Sequence, residues 1–159
     1  MAHSSVPRWP RTDPGVDETG RAYAVLAFGA DAERVAARWR ERLAVLGRPV
    51  RAWSGERATE TVLSDLADQV GAATVGWRLM LAGPQADVLR ARAVALAGGA
   101  VDAEVTVLVT DDRLRRVWCA HCETTTEAAD DVVCAGCGRD LVVHAHVSRH
   151  RAAYLGTAR

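Results

Sequence analysis

The chain contains no lysine: all twenty of its basic residues are arginine, set against twenty acidic residues. That balance removes the usual electrostatic argument for a nucleic-acid or membrane-surface partner. The arginine bias reads mainly as compositional, although a planar guanidinium also serves bidentate interface contacts better than an ammonium does. No apolar run approaches the roughly 20 residues of a membrane helix. The opening "MAHSSVPRWPRTDPGVDETG" lacks the apolar centre of an export signal. A soluble, cytoplasmic protein is expected, with no membrane and no nucleic acid among its partners. Also missing are the G-x-G-x-x-G fingerprint, a P-loop, a nucleophile elbow and an H-E-x-x-H pair. The first apolar run ends in "FGADAE", a single glycine followed by acid, where a pyrophosphate needs close backbone approach and a clear helix N-terminus. The carboxylates of "LSDLAD" and "TDD" read as solvated faces and turns. No catalytic and no cofactor-binding residue is therefore assigned.

What is present alternates regularly. "RAYAVLAFG" (21–29) is a short apolar run ended by glycine, suited to a buried strand. From Asp31 to Leu46, Ala32, Val35, Ala36, Trp39, Leu43 and Leu46 recur at helical spacing, and Gly47 stops them. "RPVRAW" (48–53) predicts a second strand, Val62, Leu63, Leu66 and Val70 a second helix, and "VGWRLMLAG" (75–83) a third strand. Pro84 sits where the first turn of a helix needs no N–H. Val88, Leu89, Arg92, Ala93 and Leu96 then mark a third helix, and "AEVTVLVT" (103–110) a fourth strand. Strand and helix in strict alternation specify an α/β fold with a small parallel sheet. Five tryptophans at positions 9, 39, 53, 77 and 118 are expected as core or interface anchors.

Beyond Arg115 helical periodicity ends. All four cysteines fall in "WCAHCETTTEAADDVVCAGCGRD", two C-x2-C pairs with eleven residues between. In a reducing compartment such pairs are metal ligands rather than disulfides. Two facing turns would put Cys119, Cys122, Cys134 and Cys137 around one tetrahedral ion at about 2.3 Å per bond. Zinc in a structural role is expected, with a single iron as the alternative, since both suit four thiolates. Gly136 and Gly138 are expected to take positive φ in the second turn, and "ETTTEAADDVV" to form a hairpin arm. "DLVVHAHVS" (140–148) alternates as a half-exposed strand with Leu141, Val143, Ala145 and Val147 on one side. His121 is expected as an exposed loop residue, and His144 and His146 as polar surface rather than a second metal site. The expected organisation is an extended arm over residues 1–20, an α/β scaffold over 21–112 and a four-cysteine zinc ribbon over 113–159.

"RRVWCAHCETTTEAAD…VVCAGCGRDLVVHAHVSRHRAAYLG" resembles the C-terminal signature of the small subunit of bacterial dimethylamine monooxygenases, also described as heme-dependent oxidative N-demethylases. "VGWRLMLAGPQADVL" and "SSVPRWP" are similar to the same family. The resemblance implies a hetero-oligomeric oxidoreductase that turns a secondary amine into a primary amine and formaldehyde. Heme would lie on one partner subunit, FMN and an iron–sulfur cluster on an NADPH-fed reductase subunit, and tetrahydrofolate on a third. This chain would be a non-catalytic assembly subunit with no activity alone, its metal ligands the four cysteines. The alternatives are a rubredoxin-like iron subunit that passes electrons within the same complex, and a free-standing zinc-ribbon regulator. "AVLAFGADAERVAARWRERLAVLGRPVRAWSGER" and "LMLAGPQADVL" also resemble a degenerate NAD(P)-binding half of ferredoxin reductases. Ala82 stands where that family's C-G-P turn has its cysteine, leaving Gly83 and Pro84.

Overall fold

The computed structural model describes residues 5–159. The first four residues, part of the expected arm, lie outside the described residues. Strand β1 (Ala22–Phe28) is followed by α1 (Ala30–Val45), β2 (Val50–Gly55), α2 (Glu60–Gly71), β3 (Trp77–Pro84), α3 (Gln85–Ala97), a 3-10 turn (Asp102–Glu104) and β4 (Val105–Asp111). The four strands make one sheet in the order β2-β1-β3-β4, with every pairing parallel. Because both faces are covered, β1 is apolar at every position rather than alternating. Its Tyr23, Val25 and Ala27 meet Val35, Ala36, Trp39 and Leu43 of α1. Its Ala24, Leu26 and Phe28 meet Leu63, Leu66 and Val70 of α2 and Val88, Ala91 and Ala95 of α3. The expected α/β unit with a parallel sheet is present, with strand ends displaced by one or two residues.

Helix α3 is buried nearly all round, with Ala86, Asp87, Val88, Leu89, Ala91, Arg92 and Ala95 all covered. Its sequence stripe marked only one side. The second side is occupied by a sheet that periodicity did not show. Strands β5 (Arg115–Cys119), β6 (Thr125–Ala128), β7 (Val132–Val133), β8 (Asp140–Ser148) and β9 (Ala153–Ala158) pair in the order β6-β5-β9-β8-β7. Of these, β8 was expected as a strand, and residues 123–133 as a hairpin arm. β5 and β9 run parallel, Val117 opposite Tyr154, while the other pairs are antiparallel. "ETTTEAADDVV" does not fold back on itself as a hairpin: it supplies β6 and β7, which lie at opposite edges of the sheet. In β8 the register shifts between Val143 and Val147, which turns Ala145 out to solvent instead of inward.

The two sheets share a core through α3, whose Leu89 packs with Val117, Val132, Leu141, Val147 and Tyr154. Polar contacts cross the same junction. The Gln85 side chain donates to the Tyr154 hydroxyl at 3.0 Å, Arg57 reaches Glu127 at 2.6 Å, and Arg149 reaches Asp102 at 3.1 Å. The described part of the arm closes the seam. Trp9 packs against both the α2/α3 cluster and the C-terminal cluster, and Ser5 Oγ accepts from the Val147 amide at 2.9 Å. Ser5 to Pro10 lie against their own chain, because Trp9 finds its apolar cover there.

Three carboxylates tie distant parts of the surface together. The Thr19 hydroxyl, with Arg78 adding, holds Asp17 below the ordinary carboxylate range. Burial pushes Asp13 and Glu127 up, but hydrogen bonds outweigh it. Gly15, Trp39 and Arg38 lower Asp13, and Arg57 and Arg116 lower Glu127. A carboxylate whose folded pKa is depressed stabilises the fold above its unfolded value and loses that contribution as pH falls through the folded value. Stability measured by denaturant titration is therefore expected to be flat at neutral pH. It should decline once pH drops below the ordinary values of 3.8 and 4.5. An increase in stability between pH 5 and pH 3 would contradict this assignment.

Candidate metal centre

Cys119 ends β5, Cys134 follows β7, and each opens a turn that closes three residues later on Cys122 or Cys137. The two turns are built alike. In the first, the Glu123 amide donates to the Cys119 carbonyl at 2.8 Å and the Cys119 amide to the Thr124 carbonyl at 2.9 Å. In the second, Gly138 donates to Cys134 and Cys134 to Arg139, both at 2.9 Å. The residue after each closing cysteine takes a left-handed conformation, φ 62° at Glu123 and 69° at Gly138. Gly138 is thus the glycine that a positive φ calls for. Gly136 answers a different need. A Cβ there would lie 2.3 Å from Thr124 Oγ1 and 3.0 Å from Cys122 Sγ, so the second turn presses on the first with no room for a side chain.

This pressing brings the sulfurs together. All four Sγ atoms lie within 4.8 Å of one another, with Cys122 and Cys134 3.4 Å apart and Cys119 and Cys137 3.9 Å apart. Four sulfurs held tetrahedrally at about 2.3 Å from one ion are separated by about 3.8 Å. A disulfide would need about 2.05 Å, and all four thiols are free. The donor set and its spacing fit a single tetrahedral metal ion.

The electrostatics agree. The Thr124 hydroxyl and then its amide hold Cys122 below the ordinary thiol value. The Cys137 amide, with Gly136 adding and burial opposing, brings Cys134 down to about 6. The Arg139 amide pulls Cys137 down, yet burial and the other three sulfurs push it up to about 11. Amide donors thus favour thiolates here, while crowding opposes loss of the last proton, and a divalent cation removes that conflict. The sequence had marked the four cysteines but not Thr124 or Thr126, whose hydroxyl accepts from the Ala135 amide at 3.0 Å. Threonines close to a C-x2-C turn were the available signal. Gly136→Ala is expected to weaken metal affinity by roughly tenfold or more, since it displaces Thr124 and Cys122 together. Competition against a chromogenic chelator measures this, and an unchanged affinity would refute the close-approach argument.

The histidines stay apart from the cysteines. His121 is exposed and outside the cluster. His144 Nε2 lies 2.8 Å from Thr157 Oγ1, and His146 Nδ1 lies 3.0 Å from Ser5 Oγ. Among the described residues the four cysteines are the only group of three or more candidate ligands drawn together.

Residues 116–157, which hold all four cysteines and most of the second sheet, match the family model described as "Dimethylamine monooxygenase subunit DmmA-like, C-terminal domain". Over those residues the chain is similar to this family's C-terminal domain. A curated relative, the heme-dependent oxidative N-demethylase delta subunit of Ectopseudomonas mendocina (strain ymp), is 38% identical over 86 residues. That alignment covers 53% of this chain and 49% of the relative, so the chain spans about half the length of the curated relative it matches. No solved structure matches the chain. Among the described residues no helix is long and apolar enough to cross a membrane.

Proposed function

We propose that this chain is a non-catalytic assembly subunit of a heme-dependent, NADPH-driven oxidative N-demethylase that converts dimethylamine or a similar secondary amine to a primary amine and formaldehyde. The observation that carries the proposal is the four-sulfur centre lying wholly within the segment that matches the family. In this reading heme, FMN, the iron–sulfur cluster and tetrahydrofolate belong to partner subunits. The chain divides into an arm (1–20), an α/β scaffold (21–112) and a zinc ribbon (113–159). Cys119, Cys122, Cys134 and Cys137 would hold Zn2+, which supplies no redox chemistry and serves to organise the second sheet.

The parallel sheet is read as a scaffold of ferredoxin-reductase type whose nucleotide site has been lost. Two features support this. At the carboxyl end of β1, Phe28 packs against Gly83, where an added Cβ would sit 2.8 Å from it, so the junction of β1 and β3 is filled by side chain. Asp31 and Glu33 occupy the first turn of α1, where a phosphate would meet like charge.

The test is co-production with the other oxidase subunits, followed by metal analysis of the complex purified from its native host. One zinc per chain, no visible absorption from this polypeptide, and an oxidase that fails to assemble without it are expected. A coloured iron centre would replace the assembly role with electron transfer. An oxidase that assembles and turns over without the chain would remove the proposal.

A further inference from the structure

The C-terminal hairpin concentrates a charge that the chain as a whole does not show. From Leu141 to Arg159 there are three arginines, three histidines and no acidic residue, so the rest of a neutral chain carries a net charge of −3. Arg149 is paired with Asp102 of the α/β part. Arg151 has no carboxylate partner among the described residues. Its guanidinium instead lies 3.9 Å over the ring of Trp118.

Strand pairing fixes where this happens. Val117 and Tyr154 are opposite each other in the buried cluster, so their neighbours Trp118 and Leu155, also opposite each other, stand on the other face of the sheet. On that face Trp118, Leu155, Ala153, Ser148, His146 and Arg151 line a cleft of about 210 Å³. The Trp118 indole N–H is buried and has no acceptor. A buried donor left unpaired costs free energy, and native structures rarely carry one without a water or a ligand to receive it.

We propose that this cleft is a docking site for a carboxylate-bearing segment of a partner subunit. An aspartate or glutamate would pair with the Arg151 guanidinium and accept from the Trp118 indole, while Leu155 and the indole face would take an apolar neighbour. Three features argue for this occupant: a hairpin with no acidic residue of its own, a cation without a carboxylate beside an unpaired donor, and an aromatic floor. Tryptophan and arginine are the residues that most often dominate interface energetics. A nucleic acid is disfavoured, because it would meet the net negative remainder of the chain within the same small molecule. The proposal rests on the assignment of the chain as an oxidase subunit.

The experiment titrates the full zinc-loaded chain into the remaining oxidase subunits, produced without it, and reads the dissociation constant at several salt concentrations. Arg151→Glu is expected to weaken binding by roughly tenfold or more, with unchanged zinc content, and wild-type affinity should fall as salt rises. Trp118→Phe keeps a ring under the guanidinium and removes the donor, and should weaken binding by a smaller factor. Arg51→Glu, a matched reversal on the exposed edge strand β2, should bind like wild type. If Arg151→Glu loses the second sheet, Arg151→Met, which retains an apolar stem over Trp118, carries the comparison. Failure of the wild-type chain to bind would overturn the subunit assignment itself. Wild-type binding that Arg151→Glu leaves intact, or that Arg51→Glu weakens equally, would overturn only the docking site.

Discussion

Removing the metal under reducing conditions is expected to unfold residues 115–158 while the parallel sheet keeps its protection. The second sheet has little else to hold it. Its buried cluster consists of Val117, Val132, Leu141, Val147, Ala152 and Tyr154, with Leu89 contributed by α3, and the remaining members are Cys119 and Cys134. Two of its five strands are four and two residues long. A core of that size does not outweigh chain entropy without a staple. Structural zinc in comparable small modules contributes on the order of ten kcal/mol of folding free energy. The parallel sheet has its own two clusters, one on each face, and owes nothing to the sulfurs. Cys134→Ser should reproduce the effect, since it replaces a buried ligand with a hydroxyl at the same place. Hydrogen exchange resolved by segment, before and after chelation, separates the two sheets. Retained protection across 115–158 in the metal-free, reduced protein would show that the sulfurs do not organise the fold.

Asp87→Ala is expected to cost about 3 kcal/mol, combining a lost charged hydrogen bond with a stranded buried donor. Asp87 is 1% exposed, in the first turn of α3, and among the described residues no acidic side chain is better covered. Its carboxylate accepts from the Ala58 amide at 2.9 Å and from Arg57 Nε at 3.0 and 3.1 Å. Without it the Ala58 amide, in a fully buried residue, has no acceptor. Arg57 suffers less, because its side chain is 48% exposed and can turn to water. Arg57→Met should therefore cost clearly less than Asp87→Ala, an order that a salt bridge acting alone would not produce. For a chain of this size the aspartate variant should melt roughly 6–12 °C lower. Arg57 also holds Glu127 on β6, so both variants should loosen the junction between the sheets. Exchange protection in β6 reports that loosening. Equal destabilisation by the two variants would mean that the ion pair, and not the buried amide, carries the energy.

The α/β half was legible because its signals are local. Ala32, Val35, Ala36, Trp39 and Leu43 recur at the period of one helix face, and all five are buried on α1. Gly47 and the Gly98–Gly99 pair lie just past the ends of α1 and α3. The cysteine cluster was legible for the same reason, since a C-x2-C turn brings its own two sulfurs together within four residues. The second half was hard to see. β5, β6 and β7 are too short for alternation to stand out, and β6 is half-buried at every position. Gly136 looked like a conformational glycine in sequence and proved to be a steric one, a distinction that depends on where Thr124 lies.

By itself, then, the chain's sequence determined an alternating α/β unit, its strand and helix periods, and the four sulfurs that would meet a metal, because each of these depends on residues within a turn or two of one another. Only the tertiary structure decided that β9 returns to lie parallel to β5, that the second face of α3 is covered by the cysteine-bearing sheet, and that Trp9 seals the seam. It alone set Arg151 over Trp118 on an open face. Those outcomes depend on pairings between distant segments, where shape complementarity and shared burial select the partner and no local pattern records the choice.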